Sequence, residues 1–193
     1  NVGKVGRRWF GEQLNTQTPF NVELSFPNID INTPFAFTLN AAAVSFVQTS
    51  LNIKVNSTEQ SINLAATPAT GGILFSSAQA NLSVPASELA VIDLTYNNNG
   101  VPSSRGYLDY LVIKAKCLLK GFGKQFRFQN NNSASNIGIG EYQFSNASGI
   151  SQIWDITSIY DVTNITNTGS SNFLFKSTLG EVRKYIAIDA SDF

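Results

Sequence analysis

Alternation with a period of two residues runs through this chain and restricts its fold more than any other feature of the sequence. In Phe20-Asn21-Val22-Glu23-Leu24-Ser25-Phe26 the even positions are apolar and the odd ones polar. Successive side chains of a strand point to opposite faces, so the pattern puts one face on a core and the other in water. Pro27 cannot donate to a ladder and ends the strand. Residues 51–56 alternate in the same way, as do residues 79–84, where Ala80, Leu82 and Val84 share a face. The longest candidate strand covers residues 107–119, with Leu111, Ile113, Ala115, Cys117 and Leu119 on one side and Lys114 and Lys116 on the other. Gly121 and Gly123, followed by Phe126-Arg127-Phe128, suggest that this strand turns back as a hairpin. Further strands are expected over residues 141–145, 153–157, 172–176 and 183–189, with a less regular segment over 35–46.

Turn-rich segments separate these runs, among them residues 67–72, 97–102, 129–135 and 164–172. Asn, Ser and Thr supply 21, 21 and 14 of the 193 residues, and these side chains favour turns and caps over helix interiors. No segment shows a helical period. Short strands with polar outer faces, dense turns and no repeat predict an all-β fold: an antiparallel two-sheet β-sandwich of jelly-roll or Greek-key type with about ten strands. The core-facing parity continues on both sides of the Asn-rich stretch 130–136, so a single domain over 1–193 is expected. The chain contains no Met, which reads as a piece excised from a longer multidomain surface protein.

Composition removes several function classes. With no His, the chain lacks the usual general base and the commonest metal ligand, so Ser-His-Asp, Cys-His and His-metal chemistry are excluded. Thirteen Lys and Arg balance thirteen Asp and Glu, which gives no overall attraction to nucleic acid or to an anionic membrane. No run of about 18 apolar residues is present to cross a membrane as a helix. One Cys permits no internal disulfide, and Cys117, on the apolar face of its predicted strand, reads as a small core residue. Asp109, Asp155, Asp161 and Asp189 show no paired-carboxylate or Dx[DN]xDG spacing. No cofactor is expected, although a calcium ion held by loop carboxylates and carbonyls would leave little trace. Trp9, Trp154, Tyr107, Tyr110, Tyr142 and Tyr160 are the candidates for a sugar-stacking platform, but the strand-like surroundings of Trp154 favour packing in the core. Five N-x-S/T sequons, at Asn56, Asn81, Asn131, Asn146 and Asn164, are of a kind that an Asn-rich chain produces by chance. Neither Gly71-Gly72 nor Gly138-Ile139-Gly140 has the strand-loop-helix context of a phosphate loop.

Five segments in order carry a resemblance: Gly6-Arg7-Arg8-Trp9-Phe10-Gly11-Glu12; the F-x-V-x-L-x-F-P pattern from Phe20 to Pro27; Gly106-Tyr107-Leu108-Asp109-Tyr110 running into Phe126-Arg127-Phe128; Trp154-Asp155-Ile156-Thr157; and Tyr185-Ile186-Ala187-Ile188-Asp189. Together they resemble the β-rich region preceding the catalytic domain of PorU-type surface peptidases, the gingipain-like cysteine peptidases that act as sortase of the type IX secretion system in Bacteroidetes. Arg8 departs from the pattern, which more often has an acidic residue there. The resemblance implies an exported, non-catalytic accessory or scaffold domain at the cell surface. Its partners would be the downstream peptidase domain of the same chain and an outer-membrane secretion protein. It carries over no catalytic residue, because the family's Cys and His lie in the peptidase domain and Cys117 does not match them. The alternative from the residues alone is a carbohydrate-binding or adhesive β-sandwich module.

Overall fold

The computed structural model describes residues 10–68, 72 and 74–192. It is all-β, with fourteen strands, one short 3-10 turn at Asn131–Ser135 and no α-helix among the described residues. All pairing between named strands is antiparallel. The chain separates into two compact units, one ending at Cys117 and the other opening at Leu118. The physical reason is that the apolar residues form two separate clusters, each with its own sheets.

The first unit contains β1 (Gln13–Leu14), β2 (Phe20–Ser25), β3 (Phe35–Val44), β4 (Thr49–Val55), β5 (Thr58–Leu64), β6 (Ser76–Val84), β7 (Leu89–Asn97) and β8 (Arg105–Lys114). One sheet has the order β1-β8-β3-β6 and the other β2-β7-β4-β5. The partners are first with last, second with seventh, third with sixth and fourth with fifth, so the chain is a long ribbon folded at the β4–β5 turn and rolled into two sheets. That is the jelly-roll arrangement of two facing antiparallel sheets. Asn56 makes the turn at a φ of 52°, in the left-handed region that Asn tolerates. Its side chain then accepts from the Val91 backbone N–H at 2.8 Å and donates to Ser87 Oγ at 2.9 Å, tying the fold of the ribbon to the start of β7.

Parity decides which residues fill the space between the sheets. Phe35, Phe37, Leu39 and Ala41 of β3 face Leu51, Ile53 and Val55 of β4 and Ile92, Leu94 and Tyr96 of β7 in one cluster, all at most 1% exposed. An irregularity in the β3–β8 ladder, where Asn40 pairs with Tyr110 but Ala41 pairs with Leu108, leaves Asp109 as an extra residue. The extra residue switches the parity of β8. Leu108 lies inward before it, and Leu111 and Ile113 pack on the core after it.

The second unit contains β9 (Phe126–Gln129), β10 (Ile139–Phe144), β11 (Ile150–Asp155), β12 (Thr163–Thr166), β13 (Phe173–Thr178) and β14 (Lys184–Asp189). A four-stranded sheet runs β12-β11-β14-β9, and β10 pairs with β13. The hairpin expected around Gly121 and Gly123 does not form, since β8 stops at Lys114 and β9 pairs with β14. Aromatic rings make most of this core. Phe128 meets Tyr185 at 5.2 Å, Phe144 at 5.4 Å, Tyr142 at 6.0 Å and Phe175 at 6.4 Å between centroids, separations at which aromatic pairs attract.

At the end of β11, Asp155 accepts from Arg183 Nη1 at 2.8 Å, and the other end of the guanidinium reaches Glu181 at 2.6 Å. Burial pushes the Asp155 carboxyl up, but the hydrogen bonds from Thr157 and from Arg183 outweigh it and leave the group below its ordinary value. A lowered carboxyl contributes stability above its unfolded value of about 3.9, and that stability is lost as pH falls through the folded value. Arg183→Gln is therefore expected to destabilise the protein by about 1–2 kcal/mol at pH 7. The difference from the unaltered chain should close near pH 2, as read from urea midpoints by circular dichroism.

Candidate functional site

One end of the first unit carries a polar recess of about 230 Å³. Three segments build it: Gln13, Leu14, Asn15 and Thr16 from β1 and the residues after it, Tyr96 and Asn98 from the end of β7, and Pro102, Ser104 and Arg105 leading into β8. The β7–β8 connection is held by its own side chains. Asn97 Oδ1 accepts from the Asn99 backbone N–H at 2.9 Å and Asn98 Oδ1 from Gly100 N–H at 3.1 Å. Asn99 and Gly100 then take φ values of 51° and 75°, which suit Asn and Gly and return the chain towards β8. On the opposite wall, Asn15 Oδ1 accepts from Gln17 N–H at 2.9 Å.

The floor is set by Tyr96 and Gly106. A Cβ at position 106 would lie 2.6–2.8 Å from three atoms of the Tyr96 ring, so only glycine lets the ring cross the core from β7 to β8. Tyr96 is 1% exposed, and its hydroxyl is buried without a hydrogen-bond partner. Beside it, buried Ser45 and Ser104 pair through their hydroxyls at 2.6 Å. Arg105 Nη1 donates to Pro102 O at 2.8 Å and to Ser104 O at 3.1 Å, which fixes the plane of the guanidinium at the rim. Among the residues that line the recess there is no Asp, Glu, Cys or His.

The sequence-predicted residues lie elsewhere. Trp9 falls outside the described residues. Tyr107 stacks on Phe10 at 5.8 Å in the first unit, and Tyr110 stands on the outer face of β8. Tyr142 is packed parallel to Phe175 at 4.8 Å, with burial pushing its hydroxyl up, and belongs to the core of the second unit. Trp154 does not pack in the core as expected: it is 40% exposed, with its indole N–H donating to Gln152 Oε1 at 2.6 Å, because its neighbour Ile153 takes the inward position of β11. Tyr160 is in a loop and 94% exposed. Within the second unit Tyr142 lies in the core, whereas Trp154 and Tyr160 are exposed.

Cys117 is also corrected: it is exposed and bridges Ile29 after the end of β8, and partial burial pushes its thiol up, away from the reactive thiolate. Asp109 lies in the first unit and Asp155, Asp161 and Asp189 in the second. Asp155 is paired with Arg183, and the Asp189 carboxylate accepts from Ser191 N–H and Oγ. Among the described residues no group of three or more His, Cys, Asp or Glu could hold a metal ion. Four of the five sequon asparagines make side-chain hydrogen bonds: Asn56 at the β4–β5 turn, Asn81 accepting from Thr38 Oγ1 at 3.0 Å, Asn131 accepting from Gln129 Nε2 at 2.6 Å and Asn146 donating to Gly121 O at 2.7 Å. The recess was missed because its side chains are common turn residues, and nothing in their spacing marks the closeness of residues 13–16 to 96–105.

No protein-family model matches the chain, and no curated protein matches it. Solved structures are similar over about half of it. A structure described as CBM4 structure and function aligns at 16% identity with a TM-score of 0.34, covering 53% of this chain and 64% of that one. The carbohydrate-binding module CBM61 in complex with β-1,4-galactotriose aligns at 13% identity with a TM-score of 0.33, covering 54% of this chain and 68% of that one. These comparisons contain nothing that links the chain to surface peptidases.

Two substitutions test the floor. Gly106→Ala should cost about 1–3 kcal/mol by overpacking against Tyr96. Tyr96→Phe removes only an unpartnered hydroxyl and should leave stability unchanged or raise it by up to about 1 kcal/mol. Thermal melts of the two variants beside the parent chain read both.

Proposed function

We propose that this chain is a non-catalytic binding module whose ligand is a small hydroxyl-rich molecule of the saccharide class, taken by the recess of the first unit. The observation that carries this reading is the lining itself. Amide, hydroxyl and guanidinium side chains converge from β1, β7 and β8, with no acid, thiol or imidazole among them. Sites of this kind orient a ligand by a few placed polar groups, and this one is smaller than the roughly 300–1,000 Å³ of drug-sized pockets, which favours one sugar unit at a time. Rigid turns support the reading: the side-chain oxygens of Asn15 and Asn98 are spent on the backbone, so little ordering is left to be done on binding. A module of this kind can ride beside a peptidase domain, as the resemblance of the sequence implies, without either role excluding the other.

The test is calorimetric titration of the whole chain against a panel of neutral and acidic oligosaccharides. At least one should bind, and the double substitution Gln13→Ala with Asn98→Ala should weaken it by about tenfold, equivalent to the loss of one or two hydrogen bonds. Absence of heat with every saccharide, at concentrations where a millimolar Kd would be seen, refutes the proposal.

A further inference from the structure

We propose that the recess selects an acidic ligand: a hydroxylated molecule bearing one oxyanion, carboxylate or sulfate, that docks on the outward edge of Arg105. This deepens the binding-module reading and rests on it. Three features point the same way. Both N–H groups of Arg105 Nη1 are committed to Pro102 O and Ser104 O, whereas the Nε and Nη2 N–H groups bond to no described residue. The free edge of a guanidinium presents two parallel donors, the geometry that matches a two-oxygen anion, and its plane is already fixed.

The second feature is the polarity of the neighbours. Asn15 and Asn98 each hold a backbone N–H on the side-chain oxygen, while their amide N–H₂ groups bond to no described residue and are open to a ligand. Together with Arg105 the recess is therefore rich in donors and calls for an acceptor-rich occupant. Third, no carboxylate lines the recess, and no described acid lies within salt-bridge distance of Arg105. A local cation without a counter-charge attracts an anion even in a chain whose formal net charge is zero.

The experiment titrates the whole chain with trigalacturonate, with its fully methyl-esterified form, and with a sulfated galactose oligomer. The ester keeps the shape and hydroxyls of the acid and removes only the charge. The proposal expects the acid, or the sulfated sugar, to bind at least about tenfold tighter than the ester at low salt, with the gap shrinking as salt is raised. Whichever anionic probe wins identifies the oxyanion. Arg105→Gln should close most of the gap, and Arg105→Lys, which keeps charge but not the fork, should retain part of it. Binding of the ester as tight as that of both the acid and the sulfated sugar overturns the acidic specificity and leaves the binding-module reading standing. Failure of every probe, the neutral sugars included, overturns both.

Discussion

In the first unit β3 lies at the centre of its sheet, between β6 and β8, and its inward row from Phe35 to Ala41 is closed off by β4 and β7 of the opposite sheet. The other strands of the unit are fixed by the need to keep that row covered. A slip of one residue in any ladder would turn an apolar row to water, so register is held by burial rather than by hydrogen-bond strength. The rolled ribbon is the route by which eight short strands meet this requirement, each pairing with the strand at the mirrored place in the chain. Such pairings lie far apart in sequence, which makes folding slow compared with a helical domain of this size.

The recess follows from the same constraint at the open end of the ribbon. Where β1 and β7 end and β8 begins, Tyr96, Gly106, Ser45 and Ser104 take the inward positions beside Leu14. The missing side chain at 106 admits the Tyr96 ring, and the Asn-rich connection from β7 to β8 wraps around its end. Polar groups that would be expensive inside the sandwich are tolerated here because each is tied to the backbone or reaches the rim. The exceptions are the hydroxyls of Tyr96 and Thr49, unpaired groups that the end of the core carries at some cost to stability.

Much of the fold could be read from the pattern of residues. β2, β4 and β6 stand where period-two alternation places them, and the jelly-roll layout follows from many short strands between turns. β7 was harder to see because Leu89-Ala90-Val91-Ile92 is a continuous apolar run, although Ala90, Ile92, Leu94 and Tyr96 occupy every second position. β5 and β12 carry too few apolar residues to stand out. The division at Cys117 was invisible because alternating strands lie on both sides of it, and a boundary between two cores changes neither composition nor period. Trp154 and Cys117 show a second limit: one residue of strand parity, or an early strand end, moves a side chain from core to surface. The recess was least legible, since Gln13, Asn98 and Arg105 come together only through the β1–β8 ladder and the β7–β8 connection.

The central claim is that chemistry in this chain is concentrated at the polar end of the first unit and takes the form of binding. Amide resonances of the ¹⁵N-labelled chain, followed while trigalacturonate is added, test it most directly. The account predicts shifts that saturate and cluster on residues 13–16, 96–98 and 102–106, with the second unit silent. Shifts centred on the indole of Trp154 or the loop around Tyr160, with residues 96–106 unmoved, would contradict it.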